Sequence, residues 1–320
     1  MRALISPAAW LVFVSSVASV TLACGPRYLR SDDFAAEQRV PSASITRNVV
    51  LVSIDGLRPD AIARFTAPTL QRLIKEGSYS LSARTIMPST TLPSHTSMLS
   101  GEPPDEHGVF WNNVTSAKVD VVNFSTVFSV AREHGYRTAA FFSKAKFGPL
   151  QRPGTLDYSQ APGGWFGRWS GARTVADVRS YLEDQRPNVL FVHLSDPDVA
   201  GHSSGWMSQA YGQAVQTADA ALGQLLTVAD SAYGKGNYSL VVTADHGGHA
   251  YGHGTSDPQD VTIPWIAWGR GVNAGLLDEK IDTFDTAPTV LWLLGVEEPD
   301  EWDGSPVEEA FHSQHALATQ

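Results

Sequence analysis

Acidic and histidine side chains come directly after three segments of this sequence that have the composition of buried strands. The segments are residues 49–54, 189–194 and 240–243. In chain order, the side chains that follow them are Asp55, Asp198, His202, Asp245, His246, His249 and His253. Because open α/β sheets bind ligands beyond the carboxyl ends of their strands, we expect these side chains to gather at one edge of a sheet.

Carboxylates gathered in this way would repel one another and resist ionising together unless a cation neutralised them. Divalent cations do so, and a mixture of aspartate and histidine ligands suits zinc. Each segment alone also has an ordinary interpretation, since a strand-terminal aspartate often caps the next helix and a loop histidine is often only solvated. Recurrence of the pattern after three strands favours a metal centre.

A hydroxyl-rich segment, residues 88–96 (PSTTLPSHT), precedes an apolar helical stretch that ends at Gly101. Backbone N–H groups at a helix N-terminus can hold an anion. A hydroxyl bound to a metal has a lowered pKa and becomes a nucleophile. The alternative interpretation of this segment is an ordinary helix cap.

The chemistry-bearing segments lie within an alternation of strands and amphipathic helices that begins at Asn48. The predicted strands are 49–54, 138–142, 189–194, 240–243 and 263–268, and the predicted helices are 68–76, 126–134, 175–184, 209–233 and 287–294. Strands that alternate with helices indicate one α/β domain, here residues 48–320, with a mostly parallel central sheet flanked by helices on both faces.

Composition limits the classes of protein to which this chain can belong. Its 320 residues, 42% hydrophobic and 18% charged, exclude a disordered chain and suffice for one large domain or two small ones. The formal net charge is -10 and there is no basic block, so we expect no nucleic-acid scaffold as a partner. A nucleotide could still bind through metal ions instead of arginines.

The N-terminus predicts export. Residues 1–24 contain one arginine, an apolar run without charges and small residues before Cys24, as in a secretory signal peptide. The sequence Thr21-Leu22-Ala23-Cys24 resembles the lipobox of bacterial lipoproteins, which implies lipidation of Cys24 in the periplasm or cell envelope. The alternative is cleavage nearby that leaves an incidental thiol. Residues 25–47 have the composition of a polar tether, and we expect membrane association only through such an anchor.

Several segments together resemble the alkaline phosphatase superfamily, and most closely its type I phosphodiesterase/nucleotide pyrophosphatase family. They are VSIDGLRPD, TTLPSHTSMLSG, EHGV, SDPDVAGH, TADHGG and GHG, in that order along the chain. The resemblance extends from about Asn48 to Gly295. It implies a hydrolase that cleaves phosphate esters with two divalent metal ions, expected to be Zn²⁺, and forms a threonyl-phosphate.

The resemblance also implies roles for particular residues. One zinc would be held by Asp198, His202 and His253, with His249 as the alternative third ligand. The other would be held by Asp55, Asp245 and His246, with Thr91 as the metal-bound nucleophile. Asn112 lies where the family binds a phosphoryl oxygen, and its neighbour Asn113 is the alternative.

The sequence departs from the family in ways that bear on the substrate. Ser94 stands where the family often has asparagine, and the Cys/Ser-x-Pro-Ser-Arg motif of sulfatases is absent, so we do not expect sulfatase chemistry. Lys144 and Lys146 follow a predicted strand and could hold the extra charge of a phosphate monoester; the alternative is two surface lysines. A phosphoryl transferase and a non-catalytic metal-binding lipoprotein remain alternative functions.

Overall fold

The structure, a computed structural model, describes residues 44–113, 124–164 and 167–312. Within these residues the chain forms a sheet of eight strands. They are β1 Val49–Ile54, β2 Ser78–Arg84, β3 Thr138–Phe141, β4 Tyr158–Gln160, β5 Val189–Leu194, β6 Ser239–Thr243, β7 Thr262–Gly269 and β8 Gly275–Leu276. Their order across the sheet is β4-β3-β5-β1-β6-β7-β2-β8.

Five neighbouring strands, β4, β3, β5, β1 and β6, are parallel. The candidate metal ligands follow three of them, β1, β5 and β6. All six residues of β1 and all six of β5 are buried. A strand buried on both faces has no polar alternation, which is why these segments read as continuous apolar runs. The predicted strands therefore correspond closely to the observed ones.

The other side of the sheet is antiparallel. Strand β7 pairs antiparallel with both β6 and β2, and its register with β2 shifts between Ser80 and Ala83. The sequence analysis predicted β7 but neither its direction nor β2. The sequence of β2, SYSLSAR, is rich in serine and only partly buried, so it carries little of the apolar signal of a core strand.

Ten α-helices connect and cover the strands in the described residues. They are α1 Pro59–Arg64, α2 Pro68–Glu76, α3 Thr91–Ser100, α4 Pro104–His107, α5 Val127–Glu133, α6 Gly171–Asp184, α7 Asp196–Ser204, α8 Gln209–Tyr233, α9 Pro258–Val261 and α10 Thr286–Leu294. Short 3₁₀ turns lie at Ala145–Leu150, Thr283–Asp285 and Glu308–Ala310. One group of helices packs around α8 and a second around α10.

A buried aspartate joins two of these helices. Asp219 on α8 accepts hydrogen bonds from the backbone N–H groups of Thr69 and Leu70, at 3.0 and 2.8 Å. These donors belong to the first turn of α2, where backbone N–H groups have no partner within the helix. The N-terminus of α2 is therefore capped from another element.

The predicted signal peptide, Cys24 and most of the predicted tether lie outside the described residues. The last residues of the tether are described. Ile45 and Thr46 are buried, and their backbone N–H groups donate to the carbonyl of Leu293. Among the residues described, no helix has the length and apolar character needed to cross a bilayer.

Candidate active site

The three central strands deliver three aspartates to one place. Asp55 follows β1, Asp198 lies in the first turn of α7 after β5, and Asp245 follows β6. Because β5, β1 and β6 are adjacent, their carboxyl ends meet. Two hydrogen bonds connect the loops: the N–H of Asp198 donates to the carbonyl of Asp55, and the N–H of Gly56 donates to the side-chain Oδ1 of Asp245.

Three histidines lie against these aspartates. His202 is one helical turn after Asp198 on α7, and its Nε2 lies 3.3 Å from Asp198 Oδ1. The Nε2 of His253 lies 3.6 Å from the same oxygen. The Nε2 of His246 lies 3.4 Å from Asp55 Oδ1 and 3.2 Å from Asp245 Oδ2.

The hydrogen bonds of these histidines fix which ring nitrogen is free. The Nδ1 atoms of His202, His246 and His253 each lie 2.8–3.0 Å from a backbone carbonyl, of Tyr251, Gly247 and Ser89 respectively. A carbonyl only accepts, so Nδ1 carries the proton and Nε2 keeps its lone pair. All three lone pairs face the aspartates, which is the arrangement of metal-ligating histidines held by outer hydrogen bonds.

The donor atoms form two overlapping groups that could each hold a cation. Asp198, His202 and His253 form one group, and Asp55, Asp198 and His246 form the other, with ligand atoms within 4.8 Å of one another in each. Asp55 Oδ1, Asp198 Oδ1 and Asp245 Oδ2 are buried and have no hydrogen-bond partner among the residues that the structure describes. Buried charged oxygens left unpaired are costly, so divalent cations fit this site.

The electrostatics of the aspartates reflect their crowding. Burial acts to raise the pKa of Asp55, but Lys144 and the neighbouring histidines outweigh it and hold that pKa well below its ordinary value. Burial and the charge of Asp55 raise the pKa of Asp245 well above its ordinary value. Burial lowers the pKa of His246 to about 3, so its imidazole is neutral and free to bind a metal.

The hydroxyl-rich segment forms the start of α3 and lies beside the aspartates. Thr91 is the first residue of the helix and is buried, and its Oγ1 lies 3.5 Å from Nε2 of His246. The helix N-terminus adds a favourable field for negative charge at this hydroxyl. The structure thus places the hydroxyl of Thr91 beside His246, one of the candidate metal ligands.

Asn112 lies beside the start of α3. Its Oδ1 accepts from the backbone N–H of Leu92 at 3.0 Å and from Nζ of Lys146 at 3.1 Å. Oδ1 accepts from both donors, and the Nδ2 amide group is the part of this side chain that can donate to an oxyanion. Asn113, the alternative considered for this role, is exposed.

The two lysines of the sequence analysis occupy different places. Lys146 is half-buried and contacts Asn112, as a residue at a phosphoryl site would. Lys144 is buried, and its Nζ lies 2.5 Å from Asp55 Oδ2 and 2.6 Å from Asp198 Oδ2. Neither lysine is an exposed surface residue.

His249 does not join the cluster. Its Nδ1 lies 2.7 Å from Oδ1 of Asp260, a buried carboxylate that also accepts from Thr255. The backbones of His249 and Gly252 bond to each other in both directions and close the loop that ends at His253. Of the two candidates for the third ligand, the structure brings His253 to Asp198.

Two buried histidines of the site were not assigned a role by the sequence analysis. His193 on β5 lies with Nε2 3.0 Å from Asp55 Oδ2, and its Nδ1 accepts from the hydroxyl of Ser143. His95 on α3 bonds to the carbonyl of Thr91 and to Ser53 on β1. The one available signal for His193 was a polar residue within an otherwise apolar strand, VLFVHL.

Comparisons with known proteins identify the family of the chain. Residues 49–255 match the sequence model of the family described as type I phosphodiesterase/nucleotide pyrophosphatase. GPI ethanolamine phosphate transferase 1 of Gibberella zeae is 28% identical over 275 residues, which are 73% of this chain and 27% of that protein. Ectonucleotide pyrophosphatase/phosphodiesterase family member 1 of Homo sapiens is 24% identical over 226 residues, 66% of this chain and 24% of that protein. The chain thus spans about a quarter of these relatives' length.

Solved structures share the fold. Murine ectonucleotide pyrophosphatase/phosphodiesterase 5 has a TM-score of 0.71 at 15% identity, covering 83% of this chain and 100% of that one. A protein in the alkaline phosphatase superfamily from Vibrio parahaemolyticus has a TM-score of 0.61 at 18% identity, covering 83% of this chain and 71% of the other. The predicted fold, a mostly parallel sheet of the alkaline phosphatase type, is confirmed.

Proposed function

Because the chain belongs to the type I phosphodiesterase/nucleotide pyrophosphatase family of the alkaline phosphatase superfamily, we propose that it cleaves phosphate esters through a covalent intermediate on Thr91. The observation that carries the proposal is the buried hydroxyl of Thr91 beside a cluster of carboxylate oxygens and imidazole lone pairs. The metals proposed here are two Zn²⁺ ions. When bound, they would lower the pKa of the hydroxyl and stabilise charge on the phosphoryl oxygens.

Thr91 and Asn112 have different roles in the proposed reaction. Oγ1 of Thr91 loses its proton to solvent and attacks phosphorus; the new O–P bond forms as the bond to the leaving alcohol breaks, and that alcohol takes a proton from solvent. The Nδ2 amide of Asn112 holds a phosphoryl oxygen as negative charge develops on it. Water then cleaves the threonyl-phosphate, which releases phosphate or a monoester and restores the hydroxyl.

Substitution of the nucleophile tests this proposal. Thr91→Ala should lower kcat/KM by about 10³-fold or more, because alanine lacks the hydroxyl proposed to form the intermediate, while zinc content stays near that of the wild type. Thr91→Ser, which keeps the hydroxyl, is the matched control and should retain much of the activity. Full activity in Thr91→Ala would refute the assignment of the nucleophile.

One observation supports an alternative reaction. The curated relatives include GPI ethanolamine phosphate transferases, which supports transfer of the phosphoryl group to an alcohol as the second candidate. Product analysis with glycerol present separates the two: transfer yields a glycerol ester, whereas hydrolysis does not. A non-catalytic metal-binding protein would show neither product.

Lys146 bears on the choice between diester and monoester. Its ammonium group lies beside Asn112 and would add a positive charge next to the phosphoryl oxygens. If monoesters are the preferred substrate, Lys146→Met should lower kcat/KM for p-nitrophenyl phosphate by about tenfold or more and that for bis-p-nitrophenyl phosphate much less. Equal losses would argue against a monoesterase.

The N-terminal segment, residues 1–24, bears on where the protein acts. We propose that the protein acts in the periplasm or cell envelope and is lipidated at Cys24. Metabolic labelling with a palmitate analogue should mark the wild type and not Cys24→Ala. Label that persists in the variant would contradict lipidation at this residue.

A further inference from the structure

Lys144 enters the metal-ligand cluster from the loop after β3. Only 6% of the residue is exposed, and its Nζ contacts one oxygen of Asp55 and one of Asp198. An ammonium group buried at this depth needs partners of opposite charge, and here it has two. These contacts tie the loop after β3 to the ends of β1 and β5.

The oxygens that Lys144 uses are not those that face the ligand histidines. Lys144 contacts Oδ2 of both carboxylates. Within the described part of the chain, the Oδ1 atoms have no hydrogen-bond partner. Oδ1 of Asp55 faces His246, and Oδ1 of Asp198 faces His202 and His253. The lysine and divalent cations can therefore occupy the site together, on opposite sides of the same two carboxylates.

The charge of Lys144 changes the electrostatic balance of the site. Asp55, Asp198 and Asp245 are all buried and together carry three negative charges when ionised. The ammonium group reduces this excess to two. The ammonium group stabilises the carboxylates when no metal is bound. It also repels any divalent cation that binds to their Oδ1 atoms, because charges on opposite sides of one carboxylate interact strongly in a protein interior.

We propose that Lys144 is a built-in countercation of the metal centre, which holds the catalytic carboxylates together without metal and weakens the binding of zinc. This inference rests on the proposed metal centre but goes beyond it. If Lys144 instead served only to bind the phosphoryl group, its removal would raise KM and leave zinc affinity unchanged.

The experiment compares wild type, Lys144→Met and Lys146→Met. Lys146→Met is the matched control, since it removes the same charge two residues away, where Nζ bonds to Asn112 instead of a carboxylate. Each protein is purified with zinc, stripped with a chelator, and examined by thermal unfolding and by zinc titration against a fluorescent chelator. Neither readout depends on catalytic activity.

In the metal-free protein, Lys144→Met should lower Tm by about 10 °C, since two buried carboxylates lose their cation. Its zinc affinity should rise at least tenfold above that of the wild type, so zinc should raise its Tm by more than it raises that of the wild type. A variant that folds only in the presence of zinc is the extreme form of the same result. Lys146→Met should stay within about threefold of wild-type affinity.

Three results would overturn the inference: zinc affinity in Lys144→Met that equals the wild type, affinity that is weaker, or a variant that folds neither with nor without zinc. Lys144→Arg, which keeps the charge, should move both Tm and zinc affinity back toward the wild type. A wild-type protein that binds no zinc contradicts the proposed function instead, so the two failures are distinguishable.

Discussion

Replacement of His193 by leucine tests the hydrogen bond that orients Asp55. His193 is fully buried on β5. Its Nδ1 accepts from Ser143, so the proton lies on Nε2, which donates to Asp55 Oδ2 at 3.0 Å. Leucine fills similar space and cannot donate. The carboxylate of Asp55 would then lose one of the bonds that keep its Oδ1 directed toward His246.

The expected loss follows from the type of bond. A hydrogen bond to a charged group contributes about 1.5–3 kcal/mol. At 1.4 kcal/mol for each factor of ten, this corresponds to roughly 10- to 150-fold in zinc affinity. That range agrees with the 10- to 100-fold typical of groups that hold metal ligands in place.

The measurement is zinc affinity by chelator competition, together with kcat/KM at saturating zinc. His193→Gln should recover part of the loss, because the amide nitrogen of glutamine can donate from a similar position. The matched control is His107→Leu, another buried histidine that bonds to a serine, Ser97, and does not contact the aspartates. It should lose stability and keep zinc affinity.

The sign of the effect distinguishes His193 from Lys144, although both donate to the same oxygen of Asp55. The neutral histidine orients the carboxylate without opposing a metal, so its removal weakens zinc binding. The lysine adds a positive charge, so its removal strengthens zinc binding. Zinc affinity in His193→Leu within twofold of the wild type would refute the reasoning.

Three further predictions concern stability. Asp219→Ala should cost about 1–2 kcal/mol in the free energy of unfolding by urea, because the start of α2 loses its cap, with zinc affinity unchanged. Burial and then Glu301 raise the pKa of Glu102 to about 7, so the folded state binds more protons than the unfolded state between pH 4.5 and 7. Its ionisation therefore opposes folding as pH rises, and Glu102→Gln should match the wild type at pH 4 and exceed it by on the order of 2 kcal/mol at pH 8. Gly248→Ala would place a Cβ 2.2 Å from the Trp206 ring, so calorimetry should show a Tm lower by several degrees. An unchanged Tm would contradict this prediction and show that the loop moves to accommodate the methyl group.

Much of the fold, and the convergence of the candidate metal ligands, could be predicted because both follow from one rule. Strands buried on both faces are recognisable as apolar runs, and their carboxyl ends meet in a parallel sheet. Asp55, Asp198 and Asp245 come shortly after such runs, so the sequence predicts that they converge at one edge of the sheet. Strand β2 was missed because its partial burial leaves no clear period in the sequence.

The partners of each side chain could not be predicted from the sequence. A histidine within a core strand, such as His193, has the same local pattern whether it packs or donates to a ligand. The positions of Lys144 and Lys146 differ by two residues, yet one contacts carboxylates and the other an asparagine. Whether His249 or His253 lies at Asp198 depends on the fold of the loop that contains them. In that loop His249 bonds to Asp260, and nothing in the sequence around Asp260 indicates this contact.

The adjacency of β5, β1 and β6 has a consequence for how the protein matures. The carboxylates that meet at this edge come from positions 55, 198 and 245, so the centre exists only after strands distant in the chain have paired. Pairing of such distant segments is slow compared with helix formation. A nascent chain that has not yet produced β6 cannot assemble the cluster, so the proposed metal ions could bind at the complete cluster only after the central sheet has formed.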